Sequence, residues 1–388
     1  MKVRGNLFRK SIFWLHLACG LLAGAVITIM SVTGIAIAFE EEILEWVDRD
    51  VSHVTIPQDG LKLSIHEMLS TLAEQRPDFE PNYVNIPSAP ERAYGFHFGR
   101  SEPVYVNPYT AEVADSNRKG AHDIIHTLEE WHRFLGMKEG HLPIGRFITG
   151  VSNLAFLVLC ISGLYLWFPR QWGARSLKSI LLLKRGAKGK ARDYNWHNTL
   201  GFWSMPILTI LAATAVVISF EWGHKLAFAV VGEEAPKSRN FGMMAMEPAV
   251  VPDSDTKIER LGYEDILGPT RLRYPNWERI GMPLSAQVDT SETVAPLKLD
   301  VFLPDYMPSR SWVPVEAHPF NGTILQAVHF QDRSLGLRTR LWMRFLHTGG
   351  AFGLIGKIVA TLATAVSLVL VYSGFALSYR RFFRKKRR

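Results

Sequence analysis

Four histidines occur at matched positions in the two halves of the chain. His16 and His197 each follow a tryptophan closely, and His132 and His347 lie in two related runs that each begin with tryptophan. Two neutral imidazoles on opposite sides of one iron supply both axial ligands of a haem. The four histidines are therefore candidate cofactor-binding and metal-ligating residues for two haem groups, provided that the fold brings them together in pairs.

The elements that must position these histidines are four apolar segments that contain no Asp, Glu, Lys or Arg. A helix of about 20 apolar residues crosses the hydrocarbon core of a bilayer. One such segment would fit inside a large soluble protein, but four of them, separated by charged segments, predict a membrane protein that is mainly helical. The predicted transmembrane helices are residues 11–39, 147–168, 198–220 and 358–379.

The distribution of charge predicts the orientation of these helices. Nineteen of the 44 basic residues, but only one of the 36 acidic residues, lie in the segments 1–10, 169–197 and 380–388. Because Lys and Arg near the ends of spans stay on the cytoplasmic side, we expect both chain termini in the cytoplasm. The formal net charge of +8 follows from this topology. We therefore expect a lipid bilayer, and no nucleic acid, as a partner.

Two polar segments, residues 40–146 and 221–357, lie between the spans on the outer side. They are too long for simple loops, so each is predicted to form a small α+β domain followed by a short segment that carries a histidine. Ser64 and Glu67 form a capping-box pattern that predicts a helix ending near residue 76. The predicted strands are 82–86, 92–98, 103–106 and 296–303, with a strand-turn-strand within 312–330.

The chain contains an internal repeat of span, outside domain and span. The intervals from His16 to Gly20, Thr33 and Glu40 equal those from His197 to Gly201, Thr214 and Glu221. The pairs Ser162-Gly163 and Ser373-Gly374 occupy matched places in the second and fourth spans. Because both halves enter the membrane in the same direction, the sequence predicts two parallel pseudo-repeats related by an axis along the membrane normal.

The repeat delivers two histidines to each membrane face. His16 and His197 lie at the cytoplasmic ends of the first and third spans, whereas His132 and His347 precede the second and fourth spans on the outer side. The chain has no Cys-x-x-Cys-His motif, so two noncovalent b-type haems are expected, one near each face. Glycines near the histidines would let a flat macrocycle approach the backbone: Gly20, Gly136, Gly201, Gly349, Gly350 and Gly353.

Other residues offer alternatives. His122 and His126 are four residues apart on a predicted helix and would suit a divalent metal, or His126 would replace His132 as the iron ligand. The run Met243-Met244-Ala245-Met246 would suit a soft metal such as Cu(I), or it would form a flexible apolar lid or a membrane-surface contact. Met243, Met244 and Met246 therefore have no single assigned role.

Several motifs together resemble the PepSY-associated transmembrane family. They are the run from Phe8 through His16 to Gly34 and the segments Val104–Thr110, Leu128–Leu135 and Ser162–Arg170. The resemblance covers essentially the whole chain and implies two PepSY-like periplasmic domains. It also implies a bacterial inner-membrane location, iron regulation and two haems, as in ferric-siderophore reductases of this family. His16 would then pair with His197 inside, and His132 with His347 outside.

The resemblance implies that the protein is an enzyme, a ferric-siderophore reductase that moves electrons from the cytoplasmic side to a ferric siderophore in the periplasm. The sequence has no nicotinamide- or flavin-binding fingerprint, so the expected donor is quinol or a cytoplasmic reductase. The alternative is a non-redox accessory or sensor subunit of an iron-uptake system, which would use its PepSY-like domains for binding. A transporter is disfavoured, because no Asp or Glu lies within the four apolar segments.

Overall fold

In the computed structural model of the protein, the description covers residues 2–99, 101–169, 173–236, 249–251, 262–284, 295–304, 306–309 and 311–383. Four helices within this part of the chain are long and apolar enough to cross a membrane, which confirms the four predicted spans. Their bounds are α1 Lys2–Ile37, α6 Leu142–Trp167, α8 Gly189–Ser219 and α12 Gly353–Phe382. The protein is therefore a multi-pass membrane protein.

The four long helices form a bundle with a defined order. Helix α1 packs against α6 and α12, and α8 packs against the same two helices. This closed ring places α1 and α8 diagonally opposite each other. Side chains of α1 and α8 that point inward therefore face each other across the centre of the bundle.

Eight shorter α-helices complete the helical part that the structure describes. In chain order they are α2 Glu40–Val47, α3 Arg49–Ser52, α4 Ile65–Gln75, α5 Lys119–Phe134, α7 Ala174–Leu181, α9 Glu221–Ala229, α10 Tyr263–Arg273 and α11 Leu335–His347. Of these, α5 ends shortly before α6, and α11 ends shortly before α12. These two helices carry the histidines that precede the second and fourth spans.

Sharp turns hold α5 against α6 and α11 against α12. Gly136 and Gly349 have φ angles of 70° and 74°, which favour glycine because it has no Cβ. A Cβ at Gly145 in α6 would lie 2.3 Å from the carbonyl oxygen of Phe134, and one at Gly356 in α12 would lie 2.4 Å from that of Gly349. Each returning helix therefore packs directly on the backbone that precedes it.

The polar segments form one antiparallel sheet of eight strands, in the order β4-β3-β2-β1-β5-β6-β7-β8. Strands β1–β4 come from the first polar segment and β5–β8 from the second. Their bounds are β1 Tyr83–Pro87, β2 Tyr94–His97, β3 Val104–Val106, β4 Val113–Asp115, β5 Arg279–Pro283, β6 Leu297–Phe302, β7 Val313–Ala317 and β8 Ile324–Ala327.

The pairing of β1 with β5 joins the two polar segments, for which the sequence predicts two separate small domains. Val84 lies opposite Met282, and Ile86 opposite Ile280, in a continuous antiparallel register. Without this pairing, both strands would leave a row of backbone N–H and C=O groups unpaired at a sheet edge. Residues 41–123 and 236–334 accordingly form one compact unit.

The core of this unit lies between one face of the sheet and the helices α4 and α10. Met68 and Leu72 of α4 and Ile266 and Leu267 of α10 are buried against alternate strand residues. The predicted capping box is confirmed at the start of α4: the Glu67 backbone N–H donates to Ser64 Oγ, and the Ser64 backbone N–H donates to the Glu67 carboxylate.

All of the predicted strands are present, whereas β4, β5 and helix α10 are not predicted from the sequence. Strand β4 has only three residues, and β5 contains Gly281 and ends at Pro283, two residue types that are depleted in strands. Helix α10 contains Gly268 followed by Pro269, which weakens any helical pattern. The local sequence alone therefore does not indicate β4, β5 or α10, which form through packing with neighbouring elements.

A fully buried carboxylate ties together the loop elements of the polar unit. Asp48 accepts hydrogen bonds from Tyr105, from Ser116, from the backbone N–H of Asn117 and from Arg118. Both oxygens of this buried carboxylate therefore accept hydrogen bonds. The network fixes the backbone immediately before α5.

Candidate bis-histidine centres

The first pair of histidines, His16 and His197, lies inside the four-helix bundle. His16 is on α1 and His197 is on the diagonally opposite helix α8. Their ring centroids are 6.2 Å apart, and the ring planes are inclined by 86°. The structure therefore brings together the two histidines that the sequence assigns to the cytoplasmic face.

The second pair, His132 and His347, lies at the ends of two short helices. His132 is in the last turn of α5, and His347 is the last residue of α11. Their ring centroids are 6.3 Å apart, with an interplanar angle of 52°. The structure thus brings all four predicted ligands together as two separate pairs.

Both spacings suit one metal ion held between two imidazoles. A metal–imidazole bond is about 2.0 Å long, and the ring centroid lies roughly 1.1 Å behind the bonded nitrogen, so two axial rings have centroids about 6.2 Å apart. The observed separations of 6.2 Å and 6.3 Å agree with this value. The donor set of each pair therefore fits bis-histidine ligation of a haem iron.

The Nδ1 atoms of the first pair contact serine hydroxyls. The distance is 2.9 Å from His16 to Ser162 and 3.0 Å from His197 to Ser373. Each serine hydroxyl donates its single proton to a main-chain carbonyl of the preceding helical turn. With the hydroxyl protons used in this way, the tautomer that fits both contacts has its N–H on Nδ1 and donates to Oγ, which leaves the lone pair of Nε2 available for a metal.

The Nδ1 atoms of the second pair contact main-chain carbonyls. A carbonyl only accepts hydrogen bonds, so here too Nδ1 carries the proton and Nε2 is the unprotonated nitrogen. A threonine hydroxyl lies close to each of these Nδ1 atoms as well. The distances are 2.9 Å from His132 to Met30 O, 3.1 Å from His347 to Leu211 O, 3.1 Å from His132 to Thr33 Oγ1 and 3.5 Å from His347 to Thr214 Oγ1.

These contacts recur at the positions that the predicted repeat makes equivalent. Thr33 and Thr214, and likewise Ser162 and Ser373, are matched residues of the repeat, but their role beside the histidines was not predicted. The signal was present in the sequence, because a metal-ligating histidine usually donates its second ring nitrogen to an oxygen. Only the structure shows which oxygens lie within reach.

A cavity of about 1300 Å³ extends from the first pair through the middle of the bundle. It exceeds the roughly 300–1,000 Å³ of ordinary small-molecule sites, so it has room for a macrocycle. Gly20 and Gly201 line it, as the sequence predicts. A Cβ at Gly163 would lie 3.3 Å from His16 Cε1, and one at Gly374 would lie 3.6 Å from His197 Cε1. Absent side chains therefore make space for the imidazoles.

The other glycines that were expected to face a macrocycle have a different role. Gly136 and Gly349 adopt positive φ angles in the turns after α5 and α11, and Gly353 has a φ of 59°. Gly34 is instead close to the second pair, because a Cβ there would lie 3.0 Å from His132 Cε1. These residues thus have a role in the turns, and the predicted approach of a macrocycle to the glycines near His132 and His347 stays a prediction.

Basic side chains line the end of the cavity that lies beside the first residues of α1 and the last residues of α12. A haem carries two propionate groups, which cations of this kind would bind. Arg380 already pairs with the buried Asp193. The basic residues of the lining are Arg9, Lys10, Lys190, Arg380 and Arg381.

The environment of the second pair favours the neutral imidazole that a metal requires. Burial, and next the neighbouring imidazole of His347, lowers the pKa of His132 to about 4. Burial also lowers the pKa of His347 below its ordinary value. Both rings are therefore neutral at pH 7.

The alternative ligands do not join either pair. His122 Nδ1 lies 3.2 Å from a carboxylate oxygen of Glu102, and the His126 side chain is 61% exposed beside Glu130. His132, and not His126, is the α5 residue opposite His347. Among the residues that the structure describes, no group of three or more His, Cys, Asp or Glu could hold a metal ion. The methionine run at 243–246 lies outside the described residues.

The fold and these centres define a class of protein: a multi-pass membrane protein whose helical bundle holds two facing pairs of histidines. The chain matches the family model described as the PepSY-associated TM region over residues 13–381, and it belongs to that family. The matched range contains all four histidines. No curated protein matches the chain.

Proposed function

We propose that this protein is a bacterial inner-membrane di-haem b protein that moves electrons outward across the membrane to reduce a ferric siderophore. The observation that supports this most directly is the presence of two histidine pairs with centroid spacings of 6.2 Å and 6.3 Å. In each pair the Nδ1 atoms are hydrogen-bonded, so the Nε2 atoms are the available ligands. Bound b-type haem would supply reversible one-electron exchange between its ferric and ferrous states.

In this proposal His16 with His197, and His132 with His347, would hold the two haem groups. Two protein ligands to each iron would favour electron transfer over oxygen chemistry. The hydrogen bonds at Nδ1 fix the tautomer and the ring orientation, so the ligands need little rearrangement when the charge at the centre changes.

The two pairs lie at different depths of the bundle. Met30, whose carbonyl accepts from His132, follows His16 by 14 residues on α1. At a rise of about 1.5 Å per residue this corresponds to about 21 Å along the helix, against a hydrocarbon core of about 30 Å. Leu211 follows His197 by the same interval on α8. The two proposed centres therefore lie one towards each membrane face.

The charge distribution of the sequence orients the proposed path. The three basic segments support an orientation with both termini and the first pair towards the cytoplasmic side, and the polar segments and the second pair towards the periplasmic side. The two halves act as parallel pseudo-repeats with PepSY-like periplasmic segments. The donor is quinol or a cytoplasmic reductase. One electron converts siderophore-bound Fe(III) to Fe(II), which hard oxygen ligands hold much less strongly.

The test is an absorption spectrum of the detergent-purified protein with quantification of its haem. We expect a Soret band and two b haems per chain. His16→Ala and His347→Ala should each reduce the content to one, whereas the exposed His126→Ala should keep two. Absence of a Soret band after expression with ample haem would refute the proposal, and two haems in both ligand variants would refute the ligand assignment.

A non-redox accessory or sensor subunit is the second candidate, and the joined eight-stranded sheet favours it. Strands from both halves create one continuous platform, as a binding module would need. This function requires no haem, so it predicts a colourless purified protein. The same spectrum therefore distinguishes the two candidates.

A further inference from the structure

The first and second pairs differ in the groups that accept from Nδ1. Serine hydroxyls lie within hydrogen-bond distance of Nδ1 of His16 and His197, with the Leu370 carbonyl also bonded to His197. Main-chain carbonyls accept from His132 and His347, with threonine hydroxyls beside them. We propose that Ser162 is, together with its counterpart Ser373, a positioning residue that sets the reduction potential of the haem held by the first pair. This inference rests on the proposed function.

Both serines are placed to act permanently on their histidines. Ser162 and Ser373 are 5% and 0% exposed, so water does not compete for the contact. Each hydroxyl proton is directed to a carbonyl of its own helix, at 2.6 Å for Ser162 and 3.1 Å for Ser373. That bond fixes the hydroxyl rotamer and turns an oxygen lone pair towards the imidazole.

The residue after each serine shapes the same contact. Gly163 and Gly374 place no side chain beside the imidazole, and a Cβ at either position would lie 3.3 Å or 3.6 Å from the ring. The two Ser-Gly dipeptides therefore contact their histidines in the same way: the serine accepts from Nδ1, and the glycine leaves space for the ring. The recurrence of both features at matched positions indicates that the contact has a role in each half.

The hydrogen bond changes the electron-donating strength of the ligand. An acceptor at Nδ1 draws the N–H proton away from the ring and makes Nε2 more basic. A more basic ligand stabilises ferric iron more than ferrous iron, so the reduction potential falls. On reduction one electron enters the iron, the proton stays on Nδ1 and no bond breaks. Replacing the hydroxyl by a hydrogen atom should therefore raise the potential.

The second pair provides an internal reference. Its acceptors are the carbonyls of Met30 and Leu211, which no side-chain substitution removes. Substitution of the serines should therefore shift one of the two haem potentials and leave the other in place. A general loss of structure would instead shift or broaden both.

The test is a spectroelectrochemical titration of the full chain, purified in detergent with its haems. The hydrogen bond at Nδ1 is present in both oxidation states, and only its difference in strength between them shifts the potential, so each Ser→Ala change should alter the ferric-to-ferrous ratio at fixed potential by up to about fivefold. At 59 mV per tenfold change this is a rise of up to about 40 mV for one haem. Ser162→Thr and Ser373→Thr retain the hydroxyl and should restore the original potential.

Ser204→Ala is the matched control, because Ser204 is a buried serine on the same helix as His197 whose hydroxyl donates to the carbonyl of Leu200. It should leave both potentials unchanged. Two haems with unchanged potentials in the Ser162→Ala/Ser373→Ala double variant would overturn this inference and leave the proposed function standing. Absence of haem from the unmodified protein would overturn both.

If Ser162→Ala loses its haem, a more conservative substitution at the same residue still tests the inference. Ser162→Cys keeps a weaker acceptor in the same place, so it should raise the same potential by a smaller amount. A cysteine variant with both haems and no shift would overturn the inference. A shift of the same haem supports it.

Discussion

Replacement of Gly145 by alanine tests how the turn between α5 and α6 positions His132. A Cβ at residue 145 would lie 2.3 Å from the carbonyl oxygen of Phe134 and within 2.9 Å of two more of its main-chain atoms. Because these atoms belong to the backbone, no side-chain rotation relieves the overlap. To regain ordinary contact, the end of α5 must move away from α6 by about 1 Å.

Such a displacement is large compared with the tolerance of a metal site. His132 precedes Phe134 by two residues, so it moves with the end of α5. Metal–ligand distances hold to within about 0.2 Å, which is about a fifth of the expected displacement. Overpacking of this kind typically costs about 1–3 kcal/mol, less than the usual stability of a folded domain. The variant should therefore fold but lose ligation by His132.

The assay is haem content per chain together with the visible spectrum of the reduced protein. Gly145→Ala should retain one haem, because His16 and His197 lie elsewhere in the bundle. Gly120→Ala is the control, since it lies on the same helix as His132 and a Cβ there meets nothing within 4 Å. It should retain two. Two haems and an unaltered spectrum in Gly145→Ala would show that the turn does not determine the position of His132.

Three further predictions concern the polar unit, each measured as the free energy of unfolding or the melting temperature. Asp48→Ala removes the buried acceptor of the loop network and should lower the free energy of unfolding by about 3–5 kcal/mol. Asp50→Ala is the control, since its side chain is 82% exposed, and it should change stability by less than about 0.5 kcal/mol. Equal effects would show that the hydrogen bonds of Asp48 do not stabilise the unit. Ile86→Ala and Ile280→Ala, on the paired strands β1 and β5, should each cost about 2–5 kcal/mol and lower the same unfolding transition. Two independent transitions would show that the two segments fold separately. Ser64→Ala removes the capping box of α4 and should cost about 1 kcal/mol, and no measurable loss would show that tertiary packing alone holds the start of this helix.

The membrane spans could be predicted because their signal is local. Each span is a continuous apolar segment without charge, and the composition of about 20 consecutive residues decides whether such a segment crosses a bilayer. The four histidines stand out for a different reason, since the two halves place the same residue at the same interval. Periodicity within the chain therefore indicates His16 and His197 as partners, and the helical bundle places them opposite each other.

The joined sheet could not be predicted in the same way. Strand β5 lies far from β1 in the sequence, and no sequence feature of either strand indicates that the two strands pair. Pairing follows from the match of Val84 with Met282 and of Ile86 with Ile280 once both strands cover the same helices. The acceptors Ser162 and Ser373 illustrate the same limit, because the contact of a serine with a histidine on another helix depends on packing.

Two kinds of contact position the histidines: contacts within each half of the chain, and contacts at the interface between the halves. Ser162 and His16 belong to the first half, as do Met30 and His132, and the second half holds its own two histidines by the equivalent contacts. Each half therefore fixes its imidazoles independently. The spacing within each pair instead depends on how the halves dock, through α1 with α12 and α6 with α8.

The two docking surfaces differ, although the contacts that hold the histidines are alike. Ser31 on α1 shares a buried hydrogen bond of 2.9 Å with Ser367 on α12. The matched positions in the other interface are Ala212 and Phe156, which have no hydroxyl. A bis-histidine site depends on the distance between its two rings and not on any particular docking contact. The residues at the two interfaces can therefore differ while the contacts at Nδ1 of the histidines remain alike.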